Sequence, residues 1–366
     1  MDYSKLIFNE HVPGMRAQAE GIKVYVKQEG APLKAVAIGD PSALYFPDTN
    51  VDEGAAAVLA KSPQVLENLN KLAGRNMWDV NPEYAEKLAA NSDALANAYR
   101  QAGVKLLRNE SGKTPDEIVN LQTGWGGPKF NSILAGQPSW EVFGHCMVKF
   151  HEHFTFNAYD MVLRDAVLEL MINDPKAVWL YMPPAYPTLL EGNPPPRVSP
   201  GDPKLLADNN IVVGIGVAEE FHVHDLSKPR SASDEFGAEI LRRVLEPFGF
   251  KVHTIYYDRN LTYHLDAFMG VVDESTVAMP KDYLFGTLPD FMKDYKIIDV
   301  LVEDQQLGCM NSEVLNKGEL LIPQGTKQYA NDLRKHGVEP VEIDYSEIWG
   351  FMGSGIHCSS AAIWRE

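Results

Sequence analysis

One cysteine near the carboxyl end lies in the run Gly353-Ser354-Gly355-Ile356-His357-Cys358-Ser359-Ser360. The glycines let the backbone adopt conformations closed to other residues, or approach a ligand closely. The thiolate is the reactive form of cysteine, and nearby positive charge or aligned N–H dipoles would favour it. The plain alternative for Cys358 is a small buried thiol in a C-terminal strand, a common fate of unpaired cysteine. Earlier in the chain, Tyr263-His264-Leu265-Asp266 places a histidine and an aspartate two apart at a strand start. On a strand that spacing puts both side chains on one face, where the carboxylate can orient the imidazole for acid–base work. Glu191 lies between Leu190 and Gly192, and Glu141 follows Trp140. Each is otherwise read as a solvated carboxylate.

Taken together, these residues make a coherent set. The thiolate supplies a nucleophile, the histidine moves protons, and paired carboxylates can grip a planar cation bidentately. Such a set suits a substrate whose reactive carbon is a guanidino carbon. A metal reading competes, because His151-Glu152-His153 and His222-Val223-His224 would each present two imidazoles to one side of a strand. Neither pair has further ligands at a recognisable spacing, and no metal is expected. Gly214-Ile215-Gly216 lacks the third glycine of a dinucleotide fingerprint, so no cofactor is expected.

The elements that must hold these residues alternate between strand and helix. Pro32 to Pro41 reads as a short apolar strand closed by a turn signal, residues 79–103 as a helix ending at Gly103, and residues 104–107 as a strand. Residues 109–138, rich in Gly, Pro, Ser and Asn, read as a long loop and candidate lid. Trp140 to Phe150 is strand-like, 157–172 helical, and 177–182 an apolar strand that runs into the proline-rich 183–203. A buried strand at 211–216, an amphipathic helix at 235–248 and a strand at 251–257 follow. A strand–turn–strand–helix–strand unit then occurs twice, over 267–302 and 308–344, which suggests an array of similar blades. Its first copy takes residues 284–295 as the helix. The stretch just before Gly353 reads as an aromatic-rich strand.

Composition narrows the partners. The 366 residues carry 50 Asp plus Glu against 33 Lys plus Arg, a formal charge of −17. That balance argues against nucleic acid and anionic membrane surfaces and is compatible with a cationic small substrate. The 3 cysteines are widely spaced and suggest no disulfide framework. The start, Met1-Asp2-Tyr3-Ser4-Lys5, lacks the pattern of a signal peptide, and no apolar stretch has the length of a membrane span. A cytoplasmic location is expected, and a homodimer on frequency alone.

These residues resemble the guanidino-group-modifying enzymes: the amidinotransferases, the arginine and agmatine deiminases, and the dimethylarginine hydrolases. Gly353 to Cys358 resembles the family's glycine-rich turn and His-Cys, whose cysteine is the nucleophile. His264-Leu265-Asp266-Ala267 resembles the His-x-Asp-Ala of the amidinotransferases, and Met310-Asn311 their Met-Asn. Leu190-Glu191-Gly192-Asn193 resembles the Glu-Gly-Gly-Asp of the deiminases. Glu141, in Pro138-Ser139-Trp140-Glu141, falls where the family has an Arg-Asp pair. Phe8-Asn9-Glu10 and the 32–39 strand resemble the amidinotransferase opening. The resemblance runs nearly end to end. It implies an α/β fold, a five-bladed, pseudo-fivefold propeller of ββαβ units (the pentein fold), in a single domain over residues 1–366. It also implies an amidinotransferase, with a hydrolase or deiminase as the alternative. Cys358, His264 and Glu191 would be catalytic; Asp266, Glu141 and Asn311 would bind a guanidino donor that passes its amidino group to an amine. Where several amidinotransferases place an arginine for the donor's carboxylate, this chain reads Pro280-Lys281-Asp282. Either Lys281 takes that task or the substrate has no carboxylate there.

Overall fold

The computed structural model describes residues 12–39, 71–72, 75–111, 139–150, 162–182 and 197–366. The chain enters through α1 (Met15–Ala19) and β1 (Tyr25–Val26) to β2 (Leu33–Ile38), an almost wholly buried apolar strand. Helices α2 (Met77–Val80) and α3 (Pro82–Gln101) carry it to β3 (Lys105–Leu107), which pairs parallel to β2. The Asn81 side chain caps α3 by accepting from the Tyr84 N–H, and Pro82 suits its first turn. Gly103, at φ 76°, ends it as the sequence predicts.

The same local pattern then repeats. β4 (Trp140–Phe143) and β5 (Cys146–Lys149) form a hairpin, α4 (Arg164–Asn173) follows, and β6 (Val178–Tyr181) pairs parallel to β5. β7 (Pro203–Leu205) and β8 (Asn210–Val217) are antiparallel, α5 (Glu235–Leu245) follows, and β9 (Lys251–Asp258) is parallel to β8. β10 (Gly270–Asp273) and β11 (Thr276–Met279) form the next pair, to which β13 (Lys296–Asp299) is added; the short β12 (Leu284–Phe285) returns to β9. After α6 (Val302–Gln305) come β14 (Glu313–Asn316), β15 (Glu319–Pro323), α7 (Lys327–Lys335) and β16 (Glu339–Ile343). Last, α8 (Ser346–Met352) leads to β17 (Ser360–Arg365), which lies between β1 and β2 in the first sheet. The result is a mixed α/β fold of small separate sheets, five among the described residues. β8 is buried along its whole length, which fits its unbroken apolar run rather than an alternating pattern.

Several expectations change. The strand order of the unit predicted twice is found at both places, and each of the five sheets among the described residues holds an antiparallel pair with a further strand parallel to it. The strand expected over Trp140 to Phe150 is a hairpin, because Gly144 takes φ 56° and turns the chain. Residues 284–295 form no α-helix: Gly286, at φ 77°, and Pro289 break the pattern, leaving β12 and a single 3-10 turn at Asp290–Met292. Pro203 belongs to β7, and the aromatic stretch before Gly353 is helix α8. His222 and His224 lie in a 3-10 turn, Glu220–His224, so the strand geometry assumed for a metal pair is not present. Loop 112–138 and His151, His153 and Glu191 lie outside the described residues.

What bears on the site is how α8 is anchored. Leu88, Leu95 and Tyr99 of α3 share an apolar cluster with Ile348 of α8 and Ile356 just beyond it. Asn91, buried in the middle of α3, accepts from the Glu347 and Ile348 N–H groups at 2.9 and 3.3 Å. It therefore caps a helix far away in sequence, and that helix feeds directly into the Gly353–Cys358 turn. Replacing Asn91 with Ala leaves two helix-terminal N–H groups without their acceptor and should cost about 1–3 kcal/mol. The check is a urea titration; an unchanged midpoint would show that water or a neighbour replaces the cap.

Candidate active site

Cys358 sits in a 3-10 turn, His357–Ser359, two residues before β17, and is partly exposed rather than packed in the strand. Asn311, at the entrance to β14, clasps it at two points. The amide Nδ2 donates to Cys358 Sγ at 2.9 Å, and Oδ1 accepts the Cys358 backbone N–H at 2.8 Å. Gly355 permits the approach: a Cβ there would lie 2.5 Å from Asn311 Cβ. The second glycine of the motif is thus needed for closeness between two turns.

Asp266 is the next member. Its carboxylate is fully buried, and Oδ2 faces Cys358 Sγ at 3.0 Å and His357 Nδ1 at 3.1 Å. Oδ1 is also buried and has no hydrogen-bond partner among the described residues. The Asp266 N–H donates to Gly201 O at 3.0 Å, and the Gly201 N–H donates to Glu141 Oε1 at 2.7 Å. Gly201 has φ 89°, and a Cβ on it would come within 2.9 Å of Asp266 Oδ2. One residue, Gly201, therefore spaces the two carboxylates.

The expected shared face of His264 and Asp266 is not found. His264 precedes a 3-10 turn, Leu265–Ala267, instead of entering a strand. Leu265 is buried against Gly214, and its N–H is held by Asp202 Oδ1 at 2.8 Å, which coils the backbone there. Asp266 consequently turns to Cys358 and His357, while His264 Nε2 meets Ser199 Oγ at 3.2 Å. His264 remains near enough for its charge to act on Asp266. Lys281 is exposed in the 3-10 turn after β11, its N–H on Asp299 Oδ1 at 3.1 Å. β10 and β11 pair Gly270 with Ala278, so Lys281 emerges at the sheet end where the Asp266 turn enters.

Three residues at this centre were given no role from sequence: Glu29, Lys204 and His357. Lys204 Nζ lies 2.7 Å from His357 Nε2 and 3.0 Å from Glu29 Oε2. Lys204 falls between the proline-rich stretch 183–203 and the strand read at 211–216, where no element and so no inward face is predicted. His357 was visible only as a neighbour of Cys358.

Electrostatics follow from these contacts. Burial alone would raise the Asp266 pKa, but His357, Lys204 and His264 outweigh it and hold the carboxyl well below its ordinary range. Burial likewise opposes ionised Glu29, yet Lys204 and His357 bring it down to about 2. Burial pushes Glu141 up to about 8, against the Gly201 N–H and more distant cations among the described residues. Burial and the Asp266 charge push the Cys358 thiol well above its usual value, against the pull of Asn311. The resting centre is thus a thiol donating to a carboxylate. A cation held beside Asp266 and Glu141 would favour ionised Glu141 and remove part of the penalty on the thiolate.

No protein-family model matches the chain, and no curated protein matches it by sequence. Solved structures do. SxtG, an amidinotransferase from Microseira wollei in the saxitoxin biosynthetic pathway, aligns with a TM-score of 0.67 at 15% identity, over 94% of this chain and 97% of that one. The inosamine-phosphate amidinotransferase StrB1 from Streptomyces griseus aligns with a TM-score of 0.66 at 14% identity, again over 94% and 97%. DDAH from Pseudomonas aeruginosa, complexed with citrulline, gives 0.54 at 12% identity over 90% and 99%. The chain has the fold of the guanidino-group-modifying enzymes that its motifs resemble.

Two outcomes test the electrostatics. Asn311→Ala removes a donor that favours the thiolate, so alkylation of Cys358 by iodoacetamide should shift to higher pH; an unshifted profile would mean that the 2.9 Å contact does not act on the sulfur. Glu141 keeps its proton up to about pH 8 when folded but ionises near 4.5 when unfolded. The folded state then binds the extra proton in that window, so stability falls as pH rises through it. Glu141→Gln should make the fall between about pH 6 and about pH 8 shallower in urea titrations. The same slope in both proteins would mean that Glu141 is ionised in the fold.

Proposed function

We propose that this chain is a cysteine-dependent enzyme that modifies guanidino groups, and that it is an amidinotransferase. The observation that carries the reading is the Cys358–Asp266 contact. It sets a thiol against a buried carboxylate whose second oxygen has no partner among the described residues, with Glu141 one glycine away. A guanidinium is planar, cationic and rich in donors, and can meet an unpartnered carboxylate oxygen while presenting its carbon to the sulfur.

In this reading Asp266 and Glu141, with Glu191, hold the guanidino nitrogens, and Asn311 holds the nucleophile. Cys358 Sγ forms a bond to the guanidino carbon as the thiol proton passes to His264. Collapse of the tetrahedral adduct breaks the bond to the donor's amine, which takes that proton from His264. The amidino-cysteine left behind is attacked by an acceptor amine that His264 deprotonates; the carbon–sulfur bond breaks and the departing sulfur takes that proton from His264, which regenerates the thiol and the neutral imidazole. Side chains alone complete this cycle. Lys281, at the sheet end nearest the Asp266 turn, is the proposed contact for a carboxylate on the donor. Transfer is preferred to hydrolysis because the two amidinotransferase structures match this chain more fully than DDAH does. The same reading takes the sheets as five blades of one propeller around a pseudo-fivefold axis, in one domain.

Intact-protein mass after brief incubation with arginine and a panel of guanidino compounds, without amine, tests it. A persistent gain of one amidino group, absent in Cys358→Ala, is the expected result. Turnover to a ureido product with no lasting adduct would replace transfer by hydrolysis. Neither adduct nor turnover with any compound would remove the proposal.

A further inference from the structure

The reaction above leaves a buried cation unused. Lys204 is 1% exposed, and its ammonium stands behind the Cys358 centre. A line of contacts runs from Glu29 Oε2 to Lys204 Nζ at 3.0 Å, to His357 Nε2 at 2.7 Å, and from Nδ1 to Asp266 Oδ2 at 3.1 Å. Asp266 Oδ2 in turn faces Cys358 Sγ at 3.0 Å. The Glu29 N–H donates to Leu205 O at 2.8 Å, which fixes the first pair to β7.

A nitrogen–nitrogen distance of 2.7 Å has room for one hydrogen. Burial and Lys204 disfavour an imidazolium at His357, while Asp266 and Glu29 favour one and raise its pKa. A protonated ring, however, would point an N–H at the Lys204 ammonium. The coupled pair therefore holds one proton fewer than two separate cations. Lys204 is ion-paired with Glu29 Oε2 at 3.0 Å, which holds the proton on the ammonium, so the hydrogen between the two nitrogens is donated by Lys204. Of the other charged groups here, Glu29 is held by Lys204, Arg365 lies close enough for its charge to couple to Glu29, and the Lys204 charge reaches Glu141.

We propose that Lys204 is a positioning residue that holds His357 as the neutral Nδ1–H tautomer, so that the ring donates to Asp266 and keeps that carboxylate on the Cys358 thiol. With the other tautomer a ring lone pair would face Asp266 Oδ2, and the repulsion would move the carboxylate off the sulfur. The catalytic meaning of this assignment rests on the guanidino chemistry proposed above. The tautomer itself belongs to the resting protein.

The test is nitrogen NMR of the full chain labelled at histidine, between about pH 6 and about pH 9, with His357 assigned by its absence in His357→Gln. The expected spectrum has Nδ1 protonated and Nε2 unprotonated in the wild type, and Nε2 protonated in Lys204→Met. A wild type with Nε2–H or an imidazolium at about pH 7.5 would overturn the assignment, as would a Lys204→Met protein that keeps the Nδ1–H form. Should Lys204→Met fail to fold, the wild-type spectrum decides alone. Once a substrate is in hand, Lys204→Met should lower kcat about tenfold or more with little change in KM. An unchanged kcat would likewise count against it. The spectrum needs no substrate, so failure of the proposed reaction and failure of this assignment are seen separately.

Discussion

A carboxylate removed from water has to be surrounded by donors or give up its charge, and Asp266 imposes that demand on everything near it. His357 and Cys358 meet it on one oxygen, with the Lys204 charge behind the imidazole. The other oxygen is left unpartnered among the described residues. Glu141, a few ångströms of backbone away, has no ion-pair partner among the described residues and is raised to about 8. Neighbouring acids are thus driven in opposite directions by their partners, a separation that active sites use to distinguish acid from base.

These partners come from distant parts of the chain, and residues 199–204 join them. Ser199 touches His264, Gly201 touches both Glu141 and Asp266, Asp202 holds the Leu265 N–H, and Lys204 reaches His357 and Glu29. Ser233 fastens the segment from the other side, accepting from the Ser199 N–H and donating to Asp202. The segment can do this because it turns before it enters β7: the Asp202 N–H closes back on Ser199 O at 3.2 Å, so side chains and backbone groups leave the segment in several directions. Gly201, in a left-handed conformation, bends it where the two carboxylates come closest.

How much of this the sequence disclosed depended on the range of the interactions. Cys358, Asp266 and Asn311 were identifiable because their motifs are short, and the structure brings those three together. The strands with strong apolar runs, such as Leu33–Ile38 and Asn210–Val217, were legible for the same local reason. What could not be read was determined by tertiary contact. His264 and Asp266 diverge because Asp202, far away in sequence, coils the turn between them. Lys204 carries no local sign of its role, since its partners lie in other sheets and turns. Helix α8 looked like a strand by composition, and its start is capped by Asn91 from another helix. The common strand pattern of the five sheets was hidden because the segments that cross over range from the long α3 to two 3-10 turns and a short strand between β11 and β13.

The position of β17 has a consequence for how the molecule comes into being. It pairs with β2 through Ser360 and Ile38, and with β1 on its other side. Arg365 near its end is buried on Glu313 and on the carbonyls of Ala31 and Val314. On the ribosome β2 is made early, and its neighbour is made only after the other sheets have been synthesised. The first sheet must therefore wait with an unpaired inner edge, a template for wrong partners while it is open. The strand that finally occupies that edge is the one that draws Cys358 into place. Closure of the fold and assembly of the reactive centre are one event, so a nascent chain gains its nucleophilic site only when it no longer exposes that edge.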